Sequence, residues 1–391
     1  MRWLVQIVAG LPPAVDGVGD YALAIARALR EQHGIESLFV VANPTWQFSG
    51  DDVSRDAIEG FPVIRVASKR PAALCSSLRK ILFEARADPH TPVLFHCSLY
   101  GYATRALAFW LERGLAAWKR ETPESPLITM FHELVADGPV WSTAYWLQGL
   151  QCGLIRRFAR ASAASLTSNT RYRRHLAEIA GIEETRIFKM AVLSTLGEPP
   201  GELPPVAARK RQLVVFGKPH SRDLAFSRHL PALAAACRNL KIERVLEIGP
   251  DPRVRVHGLP AAVEATGTLP AGEASSILCD SGFGFIASDA NLLSKSSVFA
   301  ACCAHGTVPV VSAAGWGMED ADGLSANRHY VSAAAGAALS GDQLEAVSQA
   351  ALTWYRGHGI AAQASQYSGI LNQISGAQRA LPRTFIAAGS R

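Results

Sequence analysis

The stretch GFIASDANLLSKSSVFAACCAHGTVPVVS, residues 284–312, decides the fold class of this 391-residue chain. It predicts an apolar strand, a polar loop, a short apolar helix and a second apolar strand. Two apolar strands joined through a helix form the repeating unit of a parallel sheet that is covered on both faces. The stretch therefore predicts an α/β fold with a doubly wound sheet.

The polar loop of this stretch brings hydroxyl groups and one lysine to the start of the helix. Ser296 and Ser297 are candidate helix caps, and Ser294 and Lys295 come directly before them. The free N–H groups and partial positive charge of a helix N-terminus favour an anion. We therefore predict that this loop binds the phosphates of a nucleotide-linked substrate. The alternative is an ordinary helix cap beside a solvated lysine.

The same alternation of apolar strands and helices runs through the rest of the chain, with predicted helices that include 103–119 and 224–240. The amino-acid composition changes near residue 195, where a Pro- and Gly-rich segment is followed by a basic run. We predict two Rossmann-like domains at 1–196 and 212–365, a linker at 197–211, and a C-terminal helix or tail at 366–391 that crosses back to the first domain. Doubly wound domains bind ligands outside the carboxyl ends of their strands, which predicts a site in a cleft between the two.

Composition and charge narrow the class of protein. Apolar residues make up 49% of the chain and charged residues 18%, and the net charge is +6 with scattered basic residues. That balance favours anionic small molecules or an acidic membrane surface over nucleic acid. The 7 cysteines show neither CxxC pairs nor zinc-like spacing, which predicts no metal site and a reducing cytoplasm. We expect no signal peptide and no membrane-spanning helix.

Two loops of the N-terminal half are candidate ligand sites. Gly17 and Gly19 precede a predicted helix and allow a close backbone approach to a ligand, although a plain turn with Asp20 as the helix cap is the alternative. His132 and Glu133 directly follow the apolar run 127–131. A histidine at the carboxyl end of a strand can exchange a proton or hydrogen bond with a hydroxyl group, or it can be structural.

Aromatic and glycine residues near these loops extend the candidate site. His96, Tyr100 and Gly101 follow or end another apolar run. The aromatic residues Trp141, Tyr145 and Trp146 either stack on a sugar or pack in the core, and packing is the favoured interpretation.

The last candidate loop follows the first predicted strand of the second domain. Gly217 gives the backbone room, and Lys218 and Arg222 are spaced so that a tight loop could direct both at one pyrophosphate. Two solvated surface charges are the alternative.

These segments, in this order, resemble the GT-B glycosyltransferases and, within them, the family 4-like group, over nearly the whole chain. The similar segments are GVGDYALAIARAL at 17–29, LITMFHELVADGPVW at 127–141, LSTLGEP at 193–199, FGKPHSR at 216–222 and GTVPVVS at 306–312. The resemblance implies a GT-B fold, with an acceptor-side N-terminal domain and a nucleotide-sugar donor domain that face a central cleft. It also implies transfer of a sugar from a nucleotide-diphosphate donor to an acceptor hydroxyl, with retention of configuration and with no metal or cofactor.

The residues and the resemblance together give a set of site assignments. Catalytic roles fall to His132, Lys218 and Arg222; donor or phosphate binding falls to Gly17, Gly19, Gly217, Lys218, Arg222, Ser294, Lys295, Ser296 and Ser297; sugar or acceptor contacts fall to Asp20, Glu133, Tyr100, Asp289 and Asn291. The basic side chains and the helix N-terminus would stabilise the leaving diphosphate, and His132 would orient a hydroxyl group.

The chain departs from the family pattern in one respect. Members usually carry two glutamates eight residues apart around the donor loop, but this chain has no acidic residue between Asp289 and Glu319. The donor contacts must therefore differ, and the donor base and sugar stay open.

The partners and the alternatives follow from the same features. We expect a nucleotide-sugar donor, a carbohydrate or lipid-linked acceptor used in polysaccharide or glycolipid assembly, and no nucleic acid. The arginine-rich region 147–174 predicts either a peripheral contact with anionic lipid or a solvated face. The rival functions are a sugar-nucleotide epimerase or phosphorylase on the same fold and a non-catalytic binding protein. A dehydrogenase is disfavoured because no dinucleotide fingerprint follows either first strand. The oligomeric state is open.

Overall fold

The computed structural model of the chain describes residues 2–12, 16–43, 56–88, 90–135, 141, 143–252, 258–312, 322–333 and 339–380. The chain divides into two compact units. The first contains the chain as far as Thr167, then Tyr172–Phe188, and the part from Gln363 onward. The second contains Ser168–Arg171 and Lys189–Ala362. The chain therefore passes between the units at several points, and the last helix contributes to both.

The first unit is built on a mostly parallel sheet. Its strands in the described residues are β1 (Arg2–Val8), β2 (Ile35–Val41), β3 (Asp56–Ile58), β4 (Phe61–Arg65), β5 (Val93–Cys97), β6 (Leu127–Phe131), β7 (Ala164–Thr167) and β8 (Ile187–Lys189). They lie in the order β3-β4-β2-β1-β5-β6-β7-β8, and β3 runs antiparallel to β4. The strand order reverses between β1 and β5, and such a switch point leaves a crevice at the carboxyl ends of the two strands.

The helices of the first unit connect these strands. They are α1 (Gly17–His33), α2 (Pro71–Glu84), α3 (Leu99–Tyr102), α4 (Phe109–Glu121), α5 (Thr143–Ala161) and α6 (Thr170–Ala180), whose first residues group with the second unit. The predicted single helix at 103–119 is wrong. The hydroxyl of buried Tyr102 donates to the carbonyl oxygens of Ile7 and His96, which anchors α3 against the sheet. The chain then turns through Arg105, whose φ is 59°, before α4 begins.

The second unit contains a parallel sheet of its own. Its strands in the described part of the chain are β9 (Lys210–Phe216), β10 (Arg244–Ile248), β11 (Ala262–Gly267), β12 (Ser281–Ile286), β13 (Val308–Val311) and β14 (Val331–Ser332). They lie in the order β11-β10-β9-β12-β13-β14 with parallel pairing throughout. This is the Rossmann order, and its switch point lies between β9 and β12.

The helices of the second unit are α7 (Pro219–Phe226), α8 (Leu230–Asn239), α9 (Ala271–Asp280), α10 (Ser297–Ala304), α11 (Gly341–Arg356) and α12 (Ile360–Ala380), which enters the first unit at Gln363. The predicted single helix at 224–240 is wrong, because residues 227–229 separate α7 from α8. Pro231 lies in the first turn of α8. A proline cannot donate a backbone hydrogen bond and its ring clashes with the preceding turn, so it begins a helix rather than continuing one.

The central strands explain why the sequence shows unbroken apolar runs. Every residue of β6, β7, β12 and β13 is buried. Strands that are covered by helices on both faces need apolar side chains on both faces, so alternation disappears. The α/β class with two doubly wound, Rossmann-like units is therefore confirmed. Among the described helices, none is long and apolar enough to cross a membrane.

Candidate functional site

The loop after β9 begins the candidate site in the second unit. Gly217 has a φ of 119°, a backbone conformation that L side chains rarely adopt. Lys218 is exposed and occupies the N-cap position of α7, with Pro219 in the first turn. The sequence GKP thus turns the chain sharply at the carboxyl end of β9 and places a lysine at a helix N-terminus.

The loop after β12 has the cap that the sequence predicted. Ser296 is the N-cap of α10, and its side chain accepts a hydrogen bond of 3.2 Å from the backbone N–H of Phe299. Residues Ala290–Lys295 form a 3-10 turn, in which Ser294 is buried. Asp289 and Asn291 are exposed.

These two loops lie against each other at the switch point of the sheet. Strands β9 and β12 are direct neighbours. A Cβ atom added to Gly217 would lie 3.2 Å from Cγ2 of Val298, in the first turn of α10. The starts of α7 and α10 therefore meet at one edge, where the backbone N–H groups of both helices and Lys218 can act on one anion.

Arg222 does not extend into this space. It is 1% exposed, and its guanidinium donates to the Glu247 carboxylate, to the carbonyl oxygen of Pro250 and, over 3.0 Å, to the carbonyl oxygen of Gly217. The structure thus places the predicted phosphate ligand in a buried ion pair that holds the Gly217 loop.

The Asp322 carboxylate, which the sequence did not single out, lies against the loop after β12. It accepts hydrogen bonds from Ser294 Oγ at 2.7 Å, from Thr170 Oγ1 at 2.7 Å and from Lys189 Nζ at 2.9 Å. The backbone N–H of Thr170 also donates to it at 3.0 Å. Asp322 therefore ties the loop after β12 to two segments that lie more than 100 positions earlier in the chain.

Burial by itself would raise the pKa of Asp322, but the hydrogen bonds from Lys189, Thr170 and Ser294 outweigh it and hold the pKa below its ordinary value. The carboxylate is thus ionised at neutral pH. The indole of Trp354 donates to the Asp322 carbonyl oxygen at 3.3 Å and packs against Phe299 of α10 at 5.4 Å between ring centroids. The start of α10 is therefore held from two sides.

The glycine loop of the first unit differs from the sequence expectation in its cap. Helix α1 begins at Gly17, and its N-cap is Asp16, whose side chain accepts from the N–H of Val18 at 3.2 Å. Asp20 lies within the first turn, so the alternative that made Asp20 the cap is wrong. A Cβ at Gly19 would lie 2.2 Å from the carbonyl oxygen of Gly10, whereas one at Gly17 would have nothing within 4 Å. Gly19 thus lets α1 pack against the loop, and residues 13–15 of that loop lie outside the described residues.

His132 belongs to a chain of polar side chains in the first unit. Its Nε2 lies 3.0 Å from Nδ1 of His96, and Nε2 of His96 lies 2.8 Å from Oε1 of Gln6. Nε2 of Gln6 donates to Oγ of Ser37 at 2.8 Å. His132 is partly exposed, whereas the other three side chains are fully buried. We call these four residues the His132 chain.

Burial, together with the neighbouring His132, holds the pKa of His96 well below its ordinary value, so His96 is neutral. Tyr21 of α1 packs edge-on against His132, with 5.2 Å between ring centroids. Its hydroxyl donates to Oε1 of Gln363 at 2.7 Å and lies 3.2 Å from the hydroxyl of Tyr367. Helix α12 therefore supports the wall of the histidine site, a role that no local sequence signal indicated.

The remaining predicted residues near His132 are placed as follows. Glu133 accepts from Oγ of Ser98 at 3.2 Å. Tyr100 is exposed, and the carbonyl oxygen of Gly101 accepts from Asn43 at 2.7 Å. Residues 136–140, which follow in the similar segment 127–141, lie outside the described residues.

The aromatic residues do not pack in the core as favoured from the sequence. Trp141 is 84% exposed, Trp146 is 75% exposed, and Tyr145 is also exposed. Arginines follow these aromatic residues in α5, and one of them, Arg157, pairs with Glu112 at 3.4 Å. Within the described ranges, no group of three or more His, Cys, Asp or Glu side chains could hold a metal ion.

Solved structures with the same fold supply the comparison. An alpha-glucosyltransferase in complex with UDP has a TM-score of 0.59 and 11% identity over 96% of this chain and 100% of that chain. A glycosyltransferase from Rickettsia africae ESF-5 has a TM-score of 0.55 and 14% identity over 95% and 98%. A proposed UDP-N-acetylglucosamine 2-epimerase from Listeria monocytogenes has a TM-score of 0.54 and 12% identity over 97% and 98%.

No protein-family model matches the chain, and no curated protein matches it. The solved structures cover nearly all of the chain at low identity, so the likeness shows the fold. The two α/β units together form the GT-B fold.

Proposed function

We propose that the protein is a glycosyltransferase that moves a sugar from a nucleotide-diphosphate donor to an acceptor hydroxyl. The observation that carries this proposal is the meeting of two helix N-termini with Lys218 at the switch point between β9 and β12. This geometry suits a diphosphate, because backbone N–H groups, helix dipoles and a lysine all favour negative charge at one place. Structures with the same fold are described with UDP bound.

The chemistry divides between the two units. In the second unit, Lys218 and the start of α10 stabilise the charge that develops on the leaving diphosphate. Lys295 and Ser297 stay proposed phosphate contacts, and Asp289 and Asn291, both exposed, stay proposed sugar contacts. In the first unit, His132 binds a hydroxyl group of the donor sugar or the acceptor. Retention of configuration and independence of metal and cofactor belong to this proposal, as do the domain bounds 1–196 and 212–365.

Arg222 takes a different role from the one its spacing suggested. Its buried contacts with Glu247 and with the carbonyl oxygen of Gly217 make it a residue that positions the phosphate loop. Ser294 likewise acts through Asp322, which holds its hydroxyl group. Both residues support the proposed phosphate site without contacting the donor.

Membership in the family 4-like group is the finer part of the proposal. Where the second glutamate of that group belongs, Ala301 and its neighbours form the buried side of α10. A donor site without that carboxylate must bind the ribose through other groups. We further propose a cytoplasmic role in polysaccharide or glycolipid assembly, with an acceptor that is a carbohydrate or is lipid-linked.

The test is nucleotide binding by calorimetry with UDP, GDP and ADP. Lys218→Ala should weaken the best-bound nucleotide about 10- to 100-fold, since hydrogen bonds to charged groups contribute about 1.5–3 kcal/mol. The matched control is Arg238→Ala, which removes an exposed positive charge at the end of α8, where the chain returns to the opposite edge of the sheet. Absence of binding by all three nucleotides, or equal effects of both substitutions, would overturn the donor site.

An epimerase is the second candidate, because one structure with this fold is described as such. A transferase liberates free nucleotide diphosphate only when an acceptor is present, whereas an epimerase converts the sugar nucleotide without one. Incubation of the bound sugar nucleotide alone, followed by separation of the sugar isomers, distinguishes the two.

A further inference from the structure

A cavity of about 100 Å³ lies in the first unit, between the end of α5, the start of β7 and the segment that leads from α6 to β8. Its lining includes Arg160, Ser162, Ser165, Ile182 and Arg186. We call it the Arg160–Arg186 cavity. It lies at the amino-terminal end of β7, whereas His132 follows the carboxyl end of the parallel neighbour β6. The cavity is therefore at the opposite edge of the sheet from His132, and its size admits several water molecules or one phosphoryl group.

Two positive charges line this cavity. Nε of Arg160 donates to the carbonyl oxygen of Ala180, the last residue of α6, at 2.9 Å, which leaves the terminal nitrogens of the guanidinium as further donors. Arg186 makes no side-chain hydrogen bond or ion pair with the described residues, and no acidic side chain belongs to the described lining. Like charges beside one cavity repel each other, and an anion between them removes that repulsion.

The acidic residues of the turn that carries Arg186 already have partners. Glu184 pairs with Arg173 of α6 at 3.3 Å. Glu183 accepts a hydrogen bond from the hydroxyl of Thr185 at 3.2 Å. Neither carboxylate lines the cavity, so neither compensates its charge.

A buried hydroxyl group faces the same space. Ser165 is 2% exposed, and its hydroxyl has no hydrogen-bond partner in the part of the chain that the structure describes. Ser165 lies opposite Thr129 in the register of β6 and β7, so the two side chains lie on the same face of the sheet. That face is covered by α5, because Oγ1 of Thr129 lies 2.7 Å from Oγ of Ser162, the residue after α5. Ser165 is therefore a buried donor that lacks an acceptor beneath the end of α5, where the cavity lies.

We propose that the Arg160–Arg186 cavity binds a phosphate-type anion, either a free phosphate group or the phosphate of a lipid headgroup. The guanidinium groups of Arg160 and Arg186 bind the oxygens of the anion from two sides, and the Ser165 hydroxyl is a third donor. Arginine suits this role because its planar donors match the geometry of phosphate oxygens. The proposal goes beyond the proposed function, since the cavity contains none of the residues assigned to donor or acceptor.

Titration of the full-length protein with inorganic phosphate, followed by the backbone amide signals in NMR, tests the site. The ionic strength is kept constant with chloride, so that general screening does not change. We expect saturable shifts of the Ser165 and Ile182 amides. Arg186→Ala should weaken this binding about 10- to 100-fold and Ser165→Ala about 10-fold, the range for hydrogen bonds to charged groups.

The matched control is Arg174→Ala, which removes an exposed arginine of α6 that does not line the cavity. The phosphate affinity of this variant should stay within about twofold of the wild type, because solvent screens a distant exposed charge. Lys218→Ala, in the second unit, should leave the Ser165 and Ile182 shifts unchanged. Failure of nucleotide binding together with intact phosphate shifts would thus count against the proposed function alone.

Vesicles distinguish the two sources of phosphate. If the ligand is a lipid headgroup, phosphatidylcholine vesicles that contain phosphatidic acid should sediment more protein than phosphatidylcholine alone, and Arg186→Ala should abolish the difference. If the ligand is a free phosphate group, Arg186→Ala should leave sedimentation unchanged. Both sources require inorganic phosphate to bind, so the absence of a saturable shift at Ser165 in the wild type would overturn the proposal. Equal losses of affinity in Arg186→Ala and Arg174→Ala would overturn it as well.

Discussion

Substitutions in the buried ion pair Arg222–Glu247 test whether Arg222 contacts the substrate or stabilises the fold. The two side chains are 2% and 0% exposed. Removing one member of a buried ion pair leaves an uncompensated charge, which costs about 3–5 kcal/mol. We therefore expect Arg222→Met to lower the free energy of unfolding by that amount in urea denaturation, and Glu247→Leu to have a similar effect.

The double variant Arg222→Met/Glu247→Leu should be more stable than either single variant. It buries no charge, and replacing a buried pair by apolar residues of similar volume is often neutral or stabilising. What remains is the loss of two hydrogen bonds, to the carbonyl oxygens of Gly217 and Pro250, which costs roughly 2 kcal/mol.

Nucleotide affinity then decides the role of Arg222. We expect the double variant to bind within about fivefold of the wild type, whereas Lys218→Ala loses about 10- to 100-fold. A double variant that is folded by circular dichroism but binds as weakly as Lys218→Ala would refute the reasoning. Arg222 would then act on the phosphates directly, as its spacing in the sequence suggested.

Three further changes test the loops around the two switch points. Gly19→Ala should cost about 1–3 kcal/mol in urea denaturation because its Cβ would strike a backbone carbonyl; Gly17→Ala, with open space around it, should be neutral, and equal losses would contradict this packing. Ser296→Ala should cost about 1 kcal/mol for the lost cap, and the adjacent Ser297→Ala should cost clearly less. The pKa of Asp322 is lowered in the folded protein, so the carboxylate stabilises the folded state at pH values above its ordinary pKa. This stabilisation is lost as the pH falls through the pKa that Asp322 has in the folded protein. Asp322→Asn should therefore flatten the acid side of the curve of unfolding free energy against pH. An unchanged slope would show that Asp322 does not contribute to the loss of stability in acid.

Local patterns predicted most of the elements and the local structure of the loops that carry the proposed site. The caps and turns at Ser296 and Gly217 follow from residue types that act within a few positions of the chain, so the sequence showed them directly. The unbroken apolar runs of the central strands likewise indicated a sheet covered on both faces. The predictions failed where a long-range contact overruled the local pattern, as at α3, where buried Tyr102 anchors the chain to the sheet.

By itself, then, the sequence determined the βαβ alternation and the turn and cap at the strand ends, because hydrophobic periodicity and capping are short-range effects. Only the tertiary structure decided what each polar side chain does. Arg222 is buried against Glu247, 25 positions away, and Asp322 binds Ser294 across 28 positions. Gln6, by contrast, meets His96 across 90 positions because β1 and β5 are neighbours at the switch point of the first sheet. The partner of a buried charge or imidazole is set by the order of strands in the sheet, and that order is a property of the folded chain rather than of any one segment.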